Sequence, residues 1–105
     1  MAIYQPPPRF RVGQVVRYRK TGSHGVVIRV DSSYRGDETV PRLEQAVSDI
    51  VGGHWYQILL DGAYYGSYVS EYALDRLDAT TPIQHPMLSQ YFSGFENGLY
   101  SRWVN

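Results

Sequence analysis

Along residues 55–75, WYQILLDGAYYGSYVSEYALD, large apolar side chains occupy both parities of an extended chain. Tyr56, Ile58 and Leu60 alternate with Trp55, Gln57 and Leu59. Side chains in a strand point alternately to opposite faces, so both faces of this one are expected to be covered. Asp61-Gly62 is a strong hairpin signal, and Tyr65 to Ser70 reads as the returning strand. Tyr56, Tyr68, Val69 and Leu74 are candidates for the core. The rings beside the turn, Tyr64 and Tyr65, are either cross-strand packing pairs or candidates for contact with a partner.

The same reading extends to both sides. QVVRYRK (14–20) and GVVIRVD (25–31) are rich in β-branched residues and flank a short loop with glycine, which predicts a first hairpin. SSYRGDETV (32–40) is polar and turn-like. PRLEQAVSDIVGG (41–53) places Leu43, Ala46, Val47, Ile50 and Val51 at helical spacing, with Pro41 at the first position and Gly52 at the end. A short helix near 42–51 is expected. In the last segment Leu88, Tyr91, Phe92 and Phe95 also fall at helical spacing after Pro86, with Gly94 and Gly98 as breakers. Together these predict a mainly β domain: a small barrel of about five strands, one short helix and a packed C-terminal segment.

Length and charge sharpen this. The 105 residues suit one domain, entered through an extended, Pro-rich lead-in over residues 1–9. There are no cysteines, which excludes disulfides and thiolate chemistry and fits a reducing compartment. MAIYQPPPRF does not read as a signal peptide and no run approaches membrane-spanning length, so a cytoplasmic location is expected, with no membrane partner. Net charge is zero, yet residues 1–36 hold seven basic residues and one acid, whereas residues 37–105 hold three and nine. That polarity suggests an anionic partner for one face, or head-to-tail self-association into a homo-oligomer; otherwise the two signs interleave in the fold.

Reactive chemistry is sparse. His24, His54 and His85 lack metal-site spacing, and no phosphate loop, G-x-G-x-x-G or G-x-S-x-G is present. No enzyme activity, metal or cofactor is expected. Glu71 and Asp75 read as solvated or capping carboxylates rather than an acid/base couple. The first hairpin is more informative. Arg17 and Arg19 share a strand face opposite Val16 and Tyr18, and Arg29 is expected to share its face with Val27 and Asp31, opposite Val26, Ile28 and Val30. Like charges on one sheet face repel unless acids or an anion face them. Arg17, Arg19, Lys20, Arg29 and Arg35 are therefore candidate contacts to DNA phosphates.

Four blocks, in order, resemble a known family. They are FRVGQVVRYRKTGSHGVVIRVD (10–31), WYQILLDG (55–62), YVSEYALD (68–75) and IQHPMLSQYFSGFENGLY (83–100). They are similar to the HspQ/YccV-like family, also called the hemimethylated DNA-binding domain family. The resemblance implies an SH3-like, partly open β-barrel and association with DNA. It also implies heat-shock-linked quality control, in which members act as adaptors for an ATP-dependent protease such as Lon. Some relatives are domains of larger proteins, including F-box proteins. SSYRGDETVPRLEQAV and the tyrosine-rich loop after Gly62 depart from the family pattern. DNA, or a protease and its client proteins, are thus the expected partners.

Overall fold

The computed structural model describes residues 7–36, 53–64, 66–78 and 81–103. The helix expected near 42–51 and the side chain of Tyr65 lie outside the described residues. Five strands form one antiparallel sheet in the order β4-β3-β2-β1-β5: β1 (Val15–Tyr18), β2 (His24–Asp31), β3 (Trp55–Leu60), β4 (Gly66–Ser70) and β5 (Leu74–Arg76). A single 3₁₀ turn, Glu71–Ala73, carries the chain from the edge strand β4 to the opposite edge β5. The two edges do not pair with each other, so the barrel is partly open. Ser70 caps the turn, its hydroxyl accepting from the Tyr72 amide.

Both faces of the sheet are covered. On the inner face Phe10, Val16, Val27, Tyr56, Ile58, Val69 and Leu74 form one buried cluster. On the outer face Val15, Val26 and Leu59 pack with Ile83, Phe92 and Tyr100 from the C-terminal segment. Burying each such side chain contributes about 1.5–3 kcal/mol. Tyr56, Val69 and Leu74 therefore sit in the core as their strand positions predict.

Two departures from the expected pattern have one cause. In β2 the register shifts between Val27 and Arg29, so Val27 opposes Ile58 and Arg29 opposes Gln57, with Ile28 the extra residue of a β-bulge. Val30 consequently joins Val27 on the inner cluster, while Ile28 packs on the outer one. The expected grouping of Val30 with Val26 and Ile28, and of Arg29 with Val27, is overturned by that extra residue. The C-terminal segment behaves alike. Only one helical turn forms, Leu88–Tyr91; then β6 (Phe92–Glu96) and β7 (Leu99–Arg102) make a second, two-stranded sheet. A register shift between Phe92 and Gly94 lets Phe92 and Phe95 pack on the same outer cluster despite their odd spacing. The described residues thus hold seven strands, two of them from a segment expected to be helical.

Asn97 and Gly98, with φ of 54° and 78°, make the tight turn between β6 and β7. Positive φ at both central residues is what a type I′ hairpin turn requires. The C-terminal hairpin is fastened at several points. The Tyr100 amide donates to the Gly13 carbonyl at 2.7 Å, and the Tyr100 hydroxyl accepts from the Ile83 amide at 2.9 Å. Asp61 accepts from the Gln84 amide at 2.6 Å, and His85 Nδ1 accepts from the Met87 amide at 3.1 Å, so the His85-Pro86 corner pins the tail. Gly13 has φ of 93°, and a Cβ there would collide with the carbonyl oxygen of Tyr100. Glycine alone permits both the conformation and the approach.

Candidate nucleic-acid interface

The five cations singled out in the sequence fall into two groups. At the end of the first hairpin, Arg19 clasps Asp75 on the neighbouring edge strand, with Nη2 to Oδ1 at 2.6 Å and Nε to Oδ1 at 3.2 Å. Arg17 reaches the same carboxylate at 3.4 Å. β1 and β5 pair so that Arg17 lies directly across from Asp75, which fixes this meeting. The Arg19 guanidinium holds the Asp75 carboxyl below its usual range, chiefly through the hydrogen bond, and Arg19 is raised in return. Lys20 stands exposed in the adjoining turn. Three cations thus gather about one carboxylate on open ground. Asp75 matches the expectation of a solvated group.

Arg29 and Arg35 belong to a second network. Arg29 pairs with Asp31 at 3.1 Å and lies over the Tyr68 ring at 5.5 Å. The Tyr68 hydroxyl donates to Asp31 at 2.6 Å and accepts from the Arg35 amide at 3.0 Å. Burial, then the bond to Asp31, pushes the Tyr68 phenol up to about 12. Trp55 stacks on Tyr68 with ring centres 5.6 Å apart. Arg17 and Arg29 face outward at opposite ends of β2, with Val26 between them in the cluster that Phe92 and Tyr100 share. The apolar tail therefore divides the basic face in two. Near the second turn, Tyr64 is 84% exposed and makes no cross-strand packing pair.

Glu71 overturns its expectation. It is buried, and Oε1 accepts from the Tyr56 hydroxyl at 2.8 Å and from the Arg9 amide at 3.0 Å. The Tyr56 oxygen in turn accepts from the Phe10 amide at 3.3 Å. His54 Nδ1 is 4.0 Å from the same carboxylate oxygen. Burial, with the hydrogen bond to Glu71 second, raises the Tyr56 phenol well above its ordinary value. A buried carboxylate is tolerated because donors surround it. Its effect here is to tie the segment at Arg9 and Phe10 onto the barrel.

That segment contributes to an open cleft of about 620 Å³ that sequence reasoning missed. Arg9, Arg11 and Arg76 line it, with Asp78, Gln14 and the Asn97-Gly98 turn. None of the three arginines pairs with a carboxylate within 4.0 Å among the described residues, whereas Arg17, Arg19 and Arg29 all do. Residues 9, 11 and 76 lie far apart in sequence, so no local spacing could have joined them.

The model of one protein family, hemimethylated DNA-binding protein YccV like, matches residues 8–99. The chain belongs to the YccV-like family. The match spans the barrel, both arginine groups, the cleft and nearly all of the C-terminal hairpin. Family membership names a binding domain rather than an enzyme. No curated protein and no solved structure matches the chain. Among the described residues, no helix is long and apolar enough to cross a membrane, and no three potential ligands cluster to hold a metal.

Proposed function

We propose that this YccV-like domain is a non-enzymatic module that binds duplex DNA through its phosphates. The observation that carries the reading is the surplus of positive charge at the hairpin end, where Arg17, Arg19 and Lys20 meet a single carboxylate, Asp75. Phosphate contacts position a protein on the duplex without reading bases. Telling hemimethylated from unmethylated DNA needs an apolar surface against the added methyl group in the major groove. Tyr64 is the exposed ring nearest the second turn, and the described barrel offers no long helix to enter that groove. Weak binding with slight methylation sensitivity is the expected outcome. Titration of fluorescent duplexes in both methylation states at two salt concentrations tests it. Tight binding with strong preference for the hemimethylated duplex would overturn the weak-binding reading, and no binding at low salt would remove DNA as the partner.

A second reading, an adaptor that presents client proteins to an ATP-dependent protease, is favoured by a different observation. Tyr91 and Trp103 are exposed beside a shallow groove of about 310 Å³ that also includes Val12 and Ile28. Contact through such rings would depend weakly on salt, in contrast to phosphate binding. Loss of protease stimulation in Trp103→Ala, with DNA binding intact, would select this reading.

A further inference from the structure

We propose that the cleft between the N-terminal segment and the C-terminal hairpin is a seat for one phosphate group of the DNA backbone, gripped by Arg11 and Arg76 with Arg9 at its side; this rests on the DNA-binding reading above and deepens it. Arg9, Arg11 and Arg76 converge there from two distant parts of the chain. Asp78 is the one acid in the lining, so the cleft keeps a surplus of two positive charges, three less one. Guanidinium forks match phosphate oxygens in a bidentate manner, and their charge is independent of pH in the working range.

The walls are built before any ligand arrives. Arg9 is held from two sides: its amide donates to the buried Glu71, and its guanidinium sits 5.1 Å from the centre of the buried Phe10 ring. The Arg11 amide donates to Gln14 Oε1 at 3.1 Å, which fixes the turn carrying Arg11. Gln14 bridges to Leu99, and Gly13 accepts from Tyr100, so the Arg11 wall is joined to the hairpin wall. Arg76 is set by its pairing with Val16 in the sheet. Ordering these elements is part of folding, so an entering phosphate meets donors whose backbone is already fixed.

The hairpin end and the cleft lie on edge strand β5, at neighbouring residues Asp75 and Arg76. The two differ in what a phosphate must displace. At the hairpin end it competes with Asp75; in the cleft it meets no pre-formed ion pair among the described residues. The cleft is therefore expected to carry the larger part of the salt dependence of binding.

The experiment compares Arg11→Ala/Arg76→Ala with Arg17→Ala/Arg19→Ala in two titrations, followed by the amide and arginine Nε signals of the labelled full chain. With duplex, the cleft pair should flatten the slope of log affinity against log salt by about 1.8, near 0.9 per lost contact, and the hairpin pair by less. With inorganic phosphate alone, signals of Gly98, Arg11 and Arg76 should move in the parent and stay fixed in the cleft pair. Arg11→Lys/Arg76→Lys keeps the charge and removes the fork, and should fall between parent and the alanine pair in both titrations; it also serves if the alanine pair fails to fold. A cleft pair that keeps the parent slope while the hairpin pair loses it, or phosphate that leaves the cleft signals in place, would overturn the proposal. A parent that ignores duplex at low salt while phosphate still moves the cleft signals would sink the DNA reading and leave the anion seat standing.

Discussion

Arginines gather at two places along the edge strand β5, and they are held in opposite ways. At the hairpin end Arg17 and Arg19 are steadied through their charged heads, by Asp75, on the surface. In the cleft the backbone is steadied instead, by Glu71 and Tyr56 inside the barrel, and the charged heads are left for a ligand. The difference teaches where a binding surface gets its preorganisation. A surface ion pair orders a side chain but consumes the charge it orders. A buried network orders the main chain and leaves the charge available.

The largest break in this comparison comes from the buried support. Tyr56→Ala should cost about 3–5 kcal/mol, a large share of a small domain's stability, and the loss should show directly in thermal or urea unfolding. Tyr56→Phe is sharper, because it removes only the hydroxyl that joins Glu71 to the Phe10 amide. It should cost about 1–3 kcal/mol and speed hydrogen exchange at Arg9 and Phe10 while leaving the Arg17–Asp75 end unchanged.

Next in size is the seam between the cleft walls. Gly13→Ala puts a Cβ against the Tyr100 carbonyl at a positive φ, and should cost more than about 1 kcal/mol. Its signature is local: signals of β7 and of the Asn97-Gly98 turn should shift more than those of β3 and β4. Equal stability of the two proteins would show that the seam does not brace the cleft.

A smaller effect appears in alkali. The Tyr68 phenol is raised from 10.0 to about 12 in the folded state. Folding therefore favours the protonated phenol, so its contribution is complete below about pH 10 and fades as pH rises through about 12. Tyr68→Phe should lack this fade, and denaturant midpoints of the two proteins should converge as pH climbs. The smallest change in stability is expected from Asp75→Asn, under about 1 kcal/mol, because exposed ion pairs contribute little. Freed of its carboxylate, the hairpin end should then bind duplex more tightly, and the two arginine groups should become more alike in salt dependence.

Much of the sheet was legible in the sequence. Alternation in residues 55–60, the Asp61-Gly62 turn and the β-branched runs of the first hairpin mark four of the strands directly, because period and turn chemistry agree there. What escaped has a common physical origin. Val27 and Val30 lie three apart, as do Phe92 and Phe95, and in each case a bulge brings the pair to one face. Spacing of three reads as helix, so each bulge imitates helical periodicity within a strand. Asn97-Gly98 was the signal that could have corrected the second case. Glu71 was read as solvated because nothing local marks a carboxylate for burial; its donors come from residues 9 and 56. The cleft was hidden for the same reason, since its arginines meet only after β1 and β5 have paired.

The bulge in β2 has a consequence for how this strand tolerates changes in length. In a regular strand, losing one residue turns every later side chain to the opposite face. Here the count is already one in excess, because Ile28 has no partner across from it on β3. Deleting Ile28 would let Arg29 follow Val27 directly, with Val30 still opposite Tyr56 and Asp31 still opposite Trp55. The loss would be one aliphatic side chain from the outer cluster rather than the register of the sheet. This position in β2 is thus a natural site for single-residue insertion and deletion within an otherwise length-constrained barrel.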